Sequence, residues 1–289
     1  MTLSQLFELF HSDPRIFRFG LICSFVFGCC IGSFLNVCIW RVPRGMSIVS
    51  PPSHCPNCGH EIRAWENIPL ISWLLLHGKC SGCGKPITIR YFLVELATGI
   101  LYAMIFLTVI ISNQPAPSLL FYGIFAALLV CSAFTDCETG IIPNEFTYLG
   151  MALGLILSPL CPSYWQVPSR PASLLMCFGS MLIAGGLMAG CSLLGKLVFK
   201  REALGWGDVK LTAAAGAMLG LPGALFMVTA GSLLALLGFP LLRLTVRKYR
   251  NRRTLKFGPF LAAGGLIWIL FSSTPWFLRM IQFLRLGRS

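Results

Sequence analysis

Residues 119–144 read LLFYGIFAALLVCSAFTDCETGIIPN. Up to Thr135 this stretch carries no charged side chain, and then Asp136 and Glu138 arrive with a glycine and a proline. An apolar run of this length approaches the roughly 20 residues needed to cross a bilayer as a helix. The carboxylate at its edge stands where the apolar run meets a polar turn. These two features, an apolar run and an acid at its border, set the terms for the rest of the chain.

Working outward, the same pattern repeats. The chain has 289 residues, of which 56% are hydrophobic and 11% charged. A soluble domain carries about a quarter charged residues. Further apolar runs predict spans at 19–40, 91–111, 119–135, 146–160, 172–198, 209–219, 223–242 and 258–276. The expected fold is an all-α polytopic membrane protein of about eight transmembrane helices. The 209–219 piece is too short to span alone unless the bilayer thins or neighbours shield its ends, so a seven-span count with one re-entrant piece competes. Glycines such as Gly185, Gly186, Gly190, Gly264 and Gly265 read as sites of close helix packing. No cleavable signal peptide, internal repeat or low-complexity segment is evident.

The net charge is +13, which raises nucleic acid as a partner. The layout argues against it, because the basic residues lie in the gaps between apolar runs, as orientation signals do. Segments 41–90, 196–210 and 243–256 hold six, four and seven of the 23 lysines and arginines. With those segments inside, both the cysteine-rich stretch and the borders at Asp136 and Asp208 face the cytoplasm. Arg279, Arg285 and Arg288 fall on the other side and run against the bias. Anionic lipid headgroups are the expected partners for the basic stretch from Arg243 to Lys256.

Asp208 lies in Gly205-Trp206-Gly207-Asp208-Val209-Lys210, again at a border. Carboxylates at membrane depth are costly and point to function. Peptide hydrolysis gives a reason for two: one takes a proton from water while the other gives one to the carbonyl oxygen. Two aspartates a few ångströms apart share a proton and titrate as a unit. Gly205 and Gly207 lack Cβ atoms and allow a substrate backbone to come close, and Lys210 belongs to the same supporting loop. The plainer readings are a helix N-cap for Asp208 and a solvated turn residue for Asp136. They remain open on these residues alone.

Between 41 and 90 the chain is polar and rich in proline and glycine. Cys55-x2-Cys58 and Cys80-x2-Cys83 are separated by 21 residues. Two such pairs are the spacing of a four-cysteine zinc site, and a domain this small needs a staple such as a metal. In a reducing compartment metal is favoured over cystine. The division expected is 1–40, an N-terminal segment with the first span; 41–90, the zinc domain; and 91–289, the remaining membrane domain. A four-coordinate zinc leaves no open position, so its role is folding. His54, His60 and His77 are expected outside the ligand set. Most of the other cysteines, Cys23, Cys29, Cys30, Cys177 and Cys191 among them, lie in apolar runs and act as small hydrophobes.

Several motifs together resemble one family. They are Gly32-Ser33-Phe34-Leu35-Asn36-Val37 with Arg41, Ser53-His54-Cys55-Pro56-Asn57-Cys58, and Glu66-Asn67-Ile68-Pro69-Leu70-Ile71-Ser72-Trp73. Arg90-Tyr91-Phe92-Leu93-Val94-Glu95, residues 202–211 and Phe257-Gly258-Pro259-Phe260-Leu261 complete the set. The chain is similar along nearly its whole length to the type IV prepilin peptidases, the leader peptidases and N-methyltransferases of type IV pilus and type II secretion systems. The resemblance implies a GxGD-type aspartyl protease of the bacterial inner membrane with Asp136 and Asp208 as its catalytic pair. It implies cleavage of prepilins or pseudopilins after a glycine, before their hydrophobic stretch. It also implies methylation of the new N-terminus with S-adenosylmethionine. Gly78 and Lys79 are the first positions to test for the methyl donor, with an ordinary turn and a solvated charge as the competing reading. Many members have aspartate where this chain has Asn144.

Two other classes compete. A transporter with a zinc-stabilised cytoplasmic domain predicts carboxylates along an ion path, whereas here they gather at one membrane face. A secretion-assembly component predicts that neither aspartate matters.

Overall fold

The computed structural model describes residues 10, 12–200, 204–245 and 255–274. Among them the chain is helical, with no strand beyond two isolated bridges. The principal helices are α1 (Pro14–Arg41), α2 (Ile71–Leu75), α3 (Arg90–Ile111), α4 (Pro117–Thr139), α5 (Asn144–Leu157), α6 (Arg170–Phe199), α7 (Trp206–Thr245) and α8 (Gly258–Phe271). Two compact units divide within α3, Met1–Leu107 and Thr108–Ser289.

Local chemistry sets where these helices begin. Asp13 caps α1 by accepting from the Arg15 N–H at 2.7 Å, and Pro14 opens the first turn. The helix therefore starts before the apolar run at 19. Ser169 does the same for α6, accepting from the Ala172 N–H.

Five described helices are long and apolar enough to cross a membrane: α1, α3, α4, α6 and α7. Their outward faces carry bare apolar side chains, for example Phe19, Ile22 and Phe27 on α1 and Leu175, Leu182 and Leu187 on α6. In water such a surface would drive association; in a bilayer it meets lipid. α5 and the described part of α8 are shorter, at 14 residues each. The expected pieces 209–219 and 223–242 fall on the two arms of α7, two helices that meet at the non-helical Gly220 (φ 73°, ψ 173°) just before Pro222. That backbone conformation is essentially confined to glycine. Expected segments at 202, 246–254 and 275–289 lie outside the described residues.

In the second unit α7 packs on α5, α6 and α8, and α4 packs on α8. α4 is the most enclosed of the five, with 67% of its apolar window buried against 22–44% for the others. Small residues bring the axes close: a Cβ at Gly216 would sit 2.5 Å from the Ser180 carbonyl oxygen. In the first unit α1 lies against α3, where Asn36 donates to the Tyr91 carbonyl at 3.0 Å.

Candidate functional site

Asp136 stands in the last turn of α4 and Asp208 in the first turn of α7. Both are buried, at 6% and 8% exposure. α4 ends there because Gly140 takes the left-handed conformation (φ 78°) and returns its N–H to the Asp136 carbonyl, a common helix stop. α7 begins there because the Asp208 N–H turns back to the Gly205 carbonyl, and the Thr212 hydroxyl donates to the Asp208 carbonyl at 2.8 Å.

A third segment completes the site. The Gly258 N–H donates to Asp136 Oδ2 at 3.0 Å in a buried setting. A Cβ at this position would lie 2.8 Å from that oxygen, so only glycine lets the backbone come this close. Two residues earlier, Lys256 Nζ donates to the Cys137 carbonyl at 2.9 Å. Ile142, itself buried, sits between the loops. It fills the space beside Gly207, where a Cβ would be 3.0 Å away, and its side chain also reaches the Gly258 backbone. Leu255 and Phe257, alternating with Lys256 and Gly258, line an apolar groove of about 370 Å³ with Ser232, Ala235, Leu236, Phe239 and Pro240.

The expected supporting residues take distinct places. Gly205 borders Asp208, its Cβ position 3.4 Å from Oδ2. Lys210 is bound to α5: its amine donates to Asn144 Oδ1 at 2.8 Å and lies 5.2 Å from the centre of the Tyr148 ring. Sequence reasoning did not give Gly258 or Lys256 a role at Asp136. Phe257 to Leu261 stood out as part of a span and as one of the motifs of the resemblance, and Lys256 as a lipid contact. The lone signal available was a glycine–proline step opening an apolar run.

In the first unit Cys55, Cys58, Cys80 and Cys83 converge, their sulfurs all within 4.8 Å of one another. Cys55 and Cys83 are 4.0 Å apart and Cys58 and Cys80 3.9 Å. A tetrahedral zinc with Zn–S bonds of about 2.3 Å needs sulfur separations of about 3.8 Å, so the four thiols fit. The two pairs are built alike. Cys55 N–H bonds the His60 carbonyl and Gly59 N–H the Cys55 carbonyl; Cys80 with Lys85 and Gly84 with Cys80 repeat this. Each turn closes with a bridge, His54 to Glu61 and Lys79 to Pro86. The structural repeat was hidden in sequence because only the cysteines and the following glycines coincide. The backbone N–H groups of Asn57 and Cys58 draw the Cys55 thiol down from its ordinary value and so favour its thiolate.

The histidines stay outside this set. His60 instead joins the two turns through the Ser81 hydroxyl (3.0 Å) and Glu66 (3.2 Å). The Ser81 hydroxyl, the Arg63 N–H and His60 together hold the Glu66 carboxyl below its ordinary value. Gly78 (φ 65°) lies over the Trp73 ring and Lys79 belongs to the second turn's frame. Both therefore have structural duties.

Comparison with known proteins adds the following. Residues 26–109 match the model of the bacterial peptidase A24 N-terminal domain, and residues 123–239 that of the type IV leader peptidase family. A prepilin leader peptidase/N-methyltransferase of Burkholderia pseudomallei (strain 1026b) is 37% identical, over 88% of this chain and 85% of its own. One from Aeromonas hydrophila is 34% identical over 96% and 99%. One from Myxococcus xanthus is 42% identical over 68% of this chain and 55% of that relative. No solved structure matches the chain.

Proposed function

We propose, from the premise that this chain belongs to the type IV leader peptidase family, that it is a membrane-embedded endopeptidase whose catalytic pair is Asp136 and Asp208. Its substrates are prepilins or type II secretion pseudopilins, cut after a glycine at the cytoplasmic border of the bacterial inner membrane. The observation that carries this reading is the gathering of two buried carboxyl groups, from the end of α4 and the start of α7, about Ile142, which packs against Gly207 next to Asp208 and against Gly258 on Asp136.

With one proton shared, water between the pair has both a base and an acid. As the water oxygen bonds to the peptide carbonyl carbon, one carboxylate takes a water proton and its protonated partner donates to the carbonyl oxygen. Collapse breaks the C–N bond, and the proton taken from water passes to the leaving amine. The Gly258 N–H stays on Asp136 Oδ2 throughout and leaves its other oxygen for the chemistry. Gly205, beside the Asp208 carboxyl, leaves room for a substrate backbone, whereas the missing Cβ of Gly207 makes way for Ile142.

The chain then methylates the new N-terminus. S-adenosylmethionine supplies the methyl group to the free amine, at a site left unassigned; Gly78 and Lys79 remain the first positions to test. Cys55, Cys58, Cys80 and Cys83 would hold a zinc that fixes the fold of 41–90 and, being four-coordinate, takes no part in either reaction. The division into 1–40, 41–90 and 91–289, the cytoplasmic orientation and contact of the basic stretch with lipid headgroups complete the reading.

The test is direct. Purified full-length protein in detergent is incubated with a peptide carrying a basic leader, a glycine and a following apolar segment, together with labelled S-adenosylmethionine. Mass spectrometry should find one cut after the glycine and label on the new amine. An uncut peptide, or a cut elsewhere, contradicts the proposal.

A further inference from the structure

We infer that Lys256 is a positioning residue for the peptidase reaction, clamping the last turn of α4 so that Asp136 is held where Gly258 meets it. This rests on the reading of Asp136 as one of the catalytic pair.

The argument starts from an ordinary helix end. The last four carbonyls of a helix lack intrahelical partners, and a catalytic side chain placed there sits on the part of the helix that frays first. In α4 the Gly140 N–H returns to the Asp136 carbonyl. The Ile141 N–H turns to the Thr139 hydroxyl, and the Cys137 carbonyl accepts from Lys256, at 2.9 Å. A cation is favourable at this end of a helix dipole. A helix usually takes such a cation from its own last turn, but α4 has no basic residue there. Its cation comes from 119 positions away.

The origin of that cation is what makes the contact more than a cap. Lys256 and Gly258 grip two consecutive residues, Cys137 by its carbonyl and Asp136 by its carboxylate. Two contacts from one short segment fix both the end of the helix and the orientation of its acid. A single contact would let the turn swing about the Gly258 bond. Hydrolysis needs both carboxyl groups held to about half an ångström, and a displacement of about 1 Å costs about a hundredfold in rate. Lys256 does this through the turn, without entering the bond-making step.

The experiment compares Lys256→Met, Lys256→Arg and Asp136→Asn in the full-length protein in detergent, with steady-state cleavage of the leader peptide and thermal unfolding as readouts. Lys256→Met keeps the stem and loses the donor. It is expected to lower kcat about ten- to a hundredfold with KM within about twofold and a small change in melting temperature. Lys256→Arg restores a charged donor and most of kcat. Wild-type kcat in Lys256→Met, or equal loss in Met and Arg, overturns the inference. So does loss of the unfolding transition in Lys256→Met, which would make the contact a structural clamp alone. Asp136→Asn separates the two claims: if it cleaves, the catalytic pair is misassigned whatever Lys256 does. If it is dead while Lys256→Met is fully active, only the clamp fails.

Discussion

The Gly258 N–H donates to Asp136 Oδ2 at 3.0 Å, joining residues 122 positions apart in a buried setting. A backbone donor on one oxygen of a buried carboxylate fixes its rotamer and keeps half of its acceptor capacity occupied. The contact exists only because residue 258 has no Cβ, which would otherwise sit 2.8 Å from the same oxygen.

Gly258→Ala should therefore impair cleavage while the protein still folds. Alanine is the better helix former by about 1 kcal/mol, so the start of α8 gains locally even as Asp136 is pushed aside. We expect kcat to fall about a hundredfold, measured on the leader peptide, with a melting temperature close to wild type. Full activity in this variant would mean that Asp136 tolerates displacement.

Asn144→Asp restores the residue common in related sequences and should change little. Asn144 Oδ1 already accepts from Lys210 at 2.8 Å on the exposed side of α5. Aspartate would turn that bond into an exposed ion pair, worth about 0–1 kcal/mol. Cleavage should stay within about threefold of wild type. A tenfold change would show that this position acts on the catalytic pair.

Glu66→Gln should loosen the cysteine domain in a defined direction. In the folded protein the Ser81 hydroxyl, the Arg63 N–H and His60 hold the Glu66 carboxyl below its ordinary value. A carboxyl lowered on folding stabilises above its unfolded pKa, about 4.3, and that contribution is lost as pH falls through the folded value. Acid release of zinc, followed with a colorimetric chelator, falls where the contribution is still present. The midpoint in Glu66→Gln should therefore lie at higher pH than in wild type. An unchanged midpoint would mean the Glu66 bonds do not support the metal site.

Much of this was legible because the signals were local. Apolar runs, a carboxylate at a border and two C-x2-C pairs each lie within a short window, and the physics they invoke needs no partner elsewhere. The four sulfurs do meet as the spacing implies. What escaped depends on contacts across the chain. Gly258 and Lys256 reach Asp136 and Cys137 from more than a hundred positions away, and nothing in their own neighbourhood names those partners. Asn144 and Lys210 were each noticed, but their mutual bond was not. The start of α1 was missed because a cap at Asp13 outweighs the polar residues that follow it. The break at Gly220, by contrast, falls in the gap expected between 209–219 and 223–242, because glycine followed by proline is a local signal of interruption.

The central claim is that Asp136 and Asp208 together carry the hydrolysis. The most direct test measures cleavage of the leader peptide by purified Asp136→Asn and Asp208→Asn, each checked for folding by thermal unfolding in detergent. Loss of general acid–base chemistry removes about 10²–10⁴-fold in rate, so each variant should fall by at least about a hundredfold, and the double variant little further. Cleavage near the wild-type rate by either folded single variant would contradict the account.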